Sequence, residues 1–196
     1  WTTPAESYST PDISSVLNDV VSRSGWCGAN AITVMFSYDS GTGSRAALTS
    51  AMDPTQAPIL HLTIDPNDPA MSTGCGKATL TQQVSSSTND ASETQKTGSV
   101  STTTSYNYLG CSSTTSNCTS SGTGSNNQEI GLRFENVNIP KGATIVDAFL
   151  DFTASGGDTS ATSFNIAGEA AGDSAAFNTN TKNISSRSAT SAAVGW

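Results

Sequence analysis

Apolar and polar residues alternate along most of this chain, most clearly from Glu129 to Ala154. Ile130, Leu132 and Phe134 alternate there with Gly131, Arg133 and Glu135, the period-two signature of a half-buried strand. Pro140 and Gly142 in NIPKGAT mark a turn. Beyond it Val146, Ala148, Leu150 and Phe152 fall on one face of a second strand, with Asp147 and Asp151 on the other beside Ile145 and Phe149. Ile32, Val34, Phe36 and Tyr38 alternate with Thr33, Met35 and Ser37. Leu60, Leu62 and Ile64 share one face of a strand over Ile59 to Ile64, with His61 on the opposite face. Weaker strand signals run from Arg45 to Ser50, Cys75 to Val84 and Val100 to Leu109, and through Phe164, Ile166 and Gly168.

One segment has a helical period instead. Ile13, Val16, Leu17, Val20 and Val21 recur at i, i+3, i+4, i+7 and i+8. Thr10 before it suits an N-cap, Pro11 the first helical position and Asp12 the first turn, so the helix is expected over about 11–23. Trp26 follows and is expected in the core. Ser85 to Ser99 carries almost no large apolar residue and reads as a linker or surface loop, as does the Ser/Thr/Gly/Asn stretch from Ser112 to Asn127. The pattern as a whole predicts an all-β antiparallel sandwich with one short amphipathic helix.

Composition narrows the class. Serine and threonine supply 60 of the 196 residues and charged residues only 12%, which fits a turn-rich extracellular β protein better than a helical cytosolic enzyme. The balance of 8 Lys+Arg against 16 Asp+Glu gives a formal net charge of -8, which argues against nucleic acid and against an anionic membrane surface. No apolar run approaches the roughly 18 residues of a membrane span. The sequence opens at Trp1 without an initiator Met, as in a mature product or a piece of a longer one. Four cysteines, Cys27, Cys75, Cys111 and Cys118, form an even set in a secreted-looking chain, and two disulfides are the default. Three pairings are open. The simplest joins Cys111 to Cys118 across a short polar loop and leaves Cys27 with Cys75.

Catalytic patterns are missing. There is no GxSxG, HExxH, GxGxxG or P-loop motif, and the single histidine, His61, has no Ser or Cys nearby in sequence. Zinc is disfavoured by the lack of any CxxC. A structural Ca²⁺ is the one metal considered, with Asp158, Glu169 and Asp173 as the acids to hold it. No enzyme activity and no other cofactor is expected.

The segment from Gly131 to Ala154, GLRFENVNIPKGATIVDAFLDFTA, resembles the signature of bacterial extracellular jelly-roll domains related to DNRLRE and CBM96-like modules. Similar to that family are also Ile166 to Ala170 (IAGEA), Asn183 to Arg187 (NISSR) and Val194-Gly195-Trp196. The family's continuation lies at the other end of this chain. It comprises Trp1, the helix segment TPDISSVLNDVVSRSGW from Thr10 to Trp26, the Gly28 to Ala31 region with an inserted residue, and APILHL from Ala57 to Leu62. The halves therefore stand in permuted order: 1–64 is the C-terminal half of a sandwich, 98–196 the N-terminal half, and 65–97 a linker.

This resemblance implies a jelly-roll sandwich and a permuted order that arises in two ways. Either one chain closes on itself, or the chain is one period of a tandem array cut in mid-domain, each half completed by a neighbouring copy. A half-sandwich alone would expose apolar surface and open strand edges, which completion by a neighbour removes. The second reading predicts a non-enzymatic subunit of an extracellular filament or surface stalk, with copies of itself as partners and disulfides as locks. Its seam residues would be Trp1, Val194 and Trp196, with the helix face Ile13, Val16, Leu17 and Val20. The alternative is a carbohydrate-binding module, with Tyr8, Tyr106 and Tyr108 as stacking candidates for a glycan.

Overall fold

The computed structural model describes residues 1–70, 79–112, 126–156 and 158–196. In chain order the elements are β1 (Ser7–Ser9), α1 (Ser14–Val21), β2 (Asn30–Gly41), β3 (Ser44–Leu48), β4 (Ile59–Ile64), β5 (Thr79–Gln83) and β6 (Asp90–Thr94). They continue with β7 (Ser99–Ser101), β8 (Tyr106–Gly110), β9 (Gln128–Val137), β10 (Ile145–Thr153), β11 (Thr162–Glu169) and β12 (Ala189–Gly195).

The expected all-β sandwich with one short helix is present. One layer is a four-stranded sheet in the order β1-β10-β4-β5, and the other a six-stranded sheet in the order β12-β11-β2-β9-β6-β7. A two-stranded sheet, β3-β8, stands beside them. Every strand pairing is antiparallel. Period-two strands dictate this arrangement, because each must turn its apolar face to a partner layer. Phe36 on β2 meets Phe152 on β10 edge to face across the layers, ring centroids 5.5 Å apart. Ile32, Val34, Ile130, Leu132, Phe134, Leu60, Leu62 and Leu150 complete the same core.

The two halves close within one chain. β2, from the first half, lies in the middle of the six-stranded sheet, with Val34 opposite Leu132 of β9 and Gly168 of β11. β4 lies between β10 and β5, with Leu60 opposite Leu150 and Gln82. The helix packs on β10, β11 and β12 of the same chain. Its expected seam residues Ile13, Val16, Leu17 and Val20 are fully buried there, so they are interior rather than an open face. Gly168 permits this contact, since a Cβ at that position would lie 2.9 Å from Val20 Cγ2.

Three local expectations are corrected. The helix begins at Ser14, not near residue 11. Thr10 and Asp12 serve the edge of β10 instead: Thr10 Oγ1 accepts from Leu150 N–H at 3.0 Å, and Asp12 Oδ1 accepts from Ala148 N–H at 3.0 Å and Ser14 N–H at 2.8 Å. Val146 points outward and is 50% exposed, because a register shift between Ile145 and Asp147 turns Ile145 inward in its place. Residues 65–97 are not simply a linker, since β5 and β6 lie within them. β6 pairs with β9 through main-chain hydrogen bonds, and its side chains are too small and polar to give an apolar signal.

A second, smaller core covers the opposite face of the six-stranded sheet. Met35, Ala91, Val100, Phe177 and Ile184 form it, beneath the segment joining β11 to β12. Directly opposed Glu93 and Glu129 sit beside it. Glu93 fastens the covering segment by accepting from Ile184 N–H at 2.9 Å, Ser185 N–H at 3.0 Å and the Ser185 hydroxyl.

Candidate functional site

The expected seam residues Trp1 and Trp196 come together. Their ring centroids are 6.2 Å apart at a tilt of 54°. Trp1 stacks on Tyr8 at 5.2 Å, and Trp196 stacks on Phe152 at 5.8 Å while touching Phe36 and Phe164. Backbone pairing fixes both. Trp196 exchanges two hydrogen bonds with Phe164, at 2.9 and 3.0 Å, and Trp1 O accepts from Asp158 N–H at 2.8 Å. Val194, half-buried, packs at the margin of the main core one position inward from this cluster.

Beside the two tryptophans opens a cleft of about 300 Å³ lined by Trp1, Arg45, Thr162, Phe164 and Trp196. Its walls are aromatic and its polar groups few, the usual make-up of a small-ligand site. Arg45 Nη2 donates to Ser160 O at 2.7 Å, and Nη1 lies 3.7 Å from Asp158 Oδ2 without a hydrogen bond of its own. Thr162 Oγ1 is likewise buried and unpartnered. Arg45 is held by Ser160 and Asp158, and its Nη1 and the Thr162 hydroxyl are buried, so what the cleft offers a ligand is chiefly aromatic surface.

Of the three stacking candidates only Tyr8 joins this cluster, through Trp1. Its hydroxyl accepts from Thr2 N–H at 2.8 Å and Thr3 N–H at 3.1 Å and meets the Thr2 hydroxyl at 3.5 Å; the Thr2 side chain first, then the Thr3 and Thr2 amides, lower its pKa. Tyr106 and Tyr108 sit edge to face with each other at 6.2 Å on the outer side of β8, away from the cleft.

The three acids proposed for Ca²⁺ are not gathered into one site. Asp158 accepts from Ser44 N–H at 2.6 Å and Ser160 N–H at 2.7 Å; burial works to raise its pKa, but these bonds and Arg45 hold it below the usual carboxylate range. Glu169 pairs with Arg187 at 2.6 Å, and Asp173 accepts from Ala31 N–H at 2.8 Å. Each secures a different loop, and no group of three His, Cys, Asp or Glu side chains among the described residues is placed to hold a metal.

Cysteine placement differs from the simplest pairing. Cys27 is an exposed free thiol, 3.4 Å from Asn30 Oδ1, rather than half of a bridge. It stands in the turn after α1, beside Gly28 and Ala29, which take positive φ. Cys111 is disulfide-bonded. Cys75 and Cys118 lie outside the described residues.

The sequence gives no hint of a cluster on the outer face of the four-stranded sheet. His61 stacks on Phe149 at 4.9 Å, and its Nε2 lies 3.2 Å from Asp151 Oδ2. Ser9 donates to the other oxygen of Asp151. The serine hydroxyl therefore meets the carboxylate and not the imidazole, which is not the order of a Ser-His-Asp triad. Only the direct opposition of Phe149 and His61 in the β10–β4 register signals this group, and that register is not readable from one strand alone.

No helix among the described residues is long and apolar enough to cross a membrane. Comparison with known proteins finds no matching family model, no matching curated protein and no matching solved structure.

Proposed function

We propose that this chain is a non-enzymatic structural module of an extracellular filament or surface stalk, a jelly-roll repeat unit whose halves are joined at the Trp1–Trp196 seam. The observation that carries the reading is the meeting of these two residues in one aromatic cluster, held from both sides by backbone hydrogen bonds. Residues 1–64 and 98–196 share one core, so each half needs the other. The contacts they exchange are the same whether the first half comes from the same copy or the next one along. The crossing between halves runs through the short polar stretch Ser85 to Thr88, which separates β5 in one sheet from β6 in the other. Opening there and closing on a neighbour makes a head-to-tail contact that does not close, and such contacts propagate into fibres. The oxidised Cys111 supports an oxidising compartment outside the cytosol.

Sedimentation of the native, unreduced protein beside negative-stain microscopy tests the reading. Filaments, or a ladder of multiples of 20.0 kDa, are expected. A compact species of one unit at every concentration overturns it.

The cleft favours a second reading, a carbohydrate-binding module. Its indoles offer stacking faces to a sugar ring, and Arg45 lines the same cleft. A glycan array probed with the protein and with Arg45→Ala tests it. Binding lost in the variant supports the reading, and no binding by either sinks it.

A further inference from the structure

Asp90 has no accessible surface. It enters none of the ion pairs among the described residues. Its Oδ2 accepts from Ser50 N–H and the Ser50 hydroxyl, both at 2.8 Å. Its Oδ1 is buried and has no partner. A lone buried carboxylate is costly: burial raises the pKa of Asp90 against the Ser50 bonds, and the remedies are a proton, a basic neighbour or a bound cation.

Three segments come together around Asp90, one bonded to its carboxylate and the third bonded to that one. The first is the turn after β3, which supplies Ser50. The second is the start of β6, which is Asp90 itself. The third is the lead into β8, tied to the first where Thr49 Oγ1 donates to Thr104 O at 2.7 Å and where Ala47 pairs with Asn107. β6 and β8 are in contact. Two more uncommitted groups stand on the third segment. Asn107 is fully buried with both ends of its amide unpartnered, and Thr104 Oγ1 is buried without a partner. Buried polar atoms left over in one neighbourhood call for a water or an ion.

We propose that Asp90 Oδ1, Asn107 Oδ1 and Thr104 Oγ1 hold a hard cation of the Ca²⁺ class, which pins β6 and the β3–β8 sheet together. All three ligand atoms are oxygens, which suits Ca²⁺ and disfavours zinc. Ca²⁺ takes roughly six to eight oxygens, so main-chain carbonyls or water complete the shell. The Ser50 bonds to Oδ2 leave Asp90 a one-oxygen ligand, and a single carboxylate gives a weak site, with a Kd of about 10⁻⁴ to 10⁻³ M as in extracellular modules. This site is independent of the acids Asp158, Glu169 and Asp173 and of the Trp1–Trp196 cleft.

Thermal unfolding tests it, on protein stripped with chelator and then titrated with CaCl₂, with equal ionic strength from NaCl as control. At 10 mM Ca²⁺ the Tm is expected to rise by roughly 3–8 °C. Tyr106 and Tyr108 flank Asn107, so bound Tb³⁺ is expected to luminesce on tyrosine excitation and to be displaced by Ca²⁺. In Asp90→Asn both responses are expected to vanish, while the metal-free variant melts at or above metal-free wild type because a buried charge is gone. Should that variant not fold, Asn107→Asp decides, since a second carboxylate is expected to tighten Ca²⁺ about tenfold. A wild-type Tm indifferent to Ca²⁺, an undiminished response in Asp90→Asn, or an Asn107→Asp affinity equal to wild type overturns the proposal.

Discussion

The tip of the Phe177 ring fills the space over Gly131: a Cβ built on that glycine falls 2.4 Å from Phe177 Cζ and 2.7 Å from Cε1. Phe177 is 3% exposed and carries the Arg187 guanidinium 4.4 Å above its ring centroid, so the ring cannot swing outward freely. Gly131 is thus the point where the segment between β11 and β12 is seated on the six-stranded sheet. Gly131→Ala is expected to destabilise the fold by roughly 1–3 kcal/mol through overpacking. Urea unfolding of the variant against wild type checks it, and Gly131→Ala with Phe177→Leu is expected to recover part of the loss.

Trp26 presents a different kind of dependence. It is 1% exposed, and its indole Nε1 donates to Ile139 O at 3.0 Å. Trp26→Phe keeps most of the apolar contact but strands that carbonyl. A loss of about 1–3 kcal/mol is expected from the unmet acceptor, read as a lower urea midpoint with an unchanged m-value.

Acid should act on the fold in two opposing steps. Ser191 above all, then Ala192 and Arg23, hold Asp19 below the usual carboxylate range; Arg133, Ser85 and Asn89 do so for Glu135. A depressed folded pKa gives stability that is present above the unfolded value of about 4 and is lost as pH falls through the lower folded value. Glu129 is the reverse case. Burial, with Glu93 adding to it, raises its pKa against the bonds from Ser37 and Gln95, so protonation on mild acidification favours the folded state. Stability is therefore expected to peak on the acid side of neutrality and to fall below about pH 4. Asp90, likewise raised by burial, adds to the same rise, so Glu129→Gln is expected to flatten part of it without moving the acid limb, and urea midpoints across pH read both.

The thiol of Cys27 is exposed, while Cys111 is 1% exposed and disulfide-bonded. Iodoacetamide under native conditions is expected to label Cys27 without reductant, and Cys111 only after reduction and unfolding. Peptide mapping by mass spectrometry gives the answer directly.

Strands whose apolar face meets the main core are legible from sequence. β4 falls on Ile59–Ile64 as its alternation predicts, and β2 and β9 extend only a few residues past their apolar runs. What is hidden depends on partners. Asp90, Ser92 and Glu93 make β6 look like loop, because its strand character comes from the β9 ladder and its polar side chains find buried partners on both faces. Thr10 and Asp12 look like a helix start, but the unpaired N–H groups of β10 compete successfully for their oxygens. The candidate cleft is half legible. Trp1 and Trp196 stand out as seam residues, whereas Arg45 and Thr162 join them only because β3 and β11 converge there.

The central position of β2 governs how the molecule must be made. Its two neighbours, β9 and β11, are translated long after it; β9 pairs with residues 30–37 and β11 with 34–41. Until they arrive, β2 has two open edges and nothing to cover its apolar face. Pairings of such high sequence separation fold slowly, because loop closure must precede the contacts that reward it. Neither the first nor the second half offers a stable stopping point, so unfolding by heat or urea should be all-or-none. A protease that cuts within β2 would release both sheets at once, whereas a nick in the polar stretch Ser85 to Thr88 would leave a two-chain sandwich still assembled.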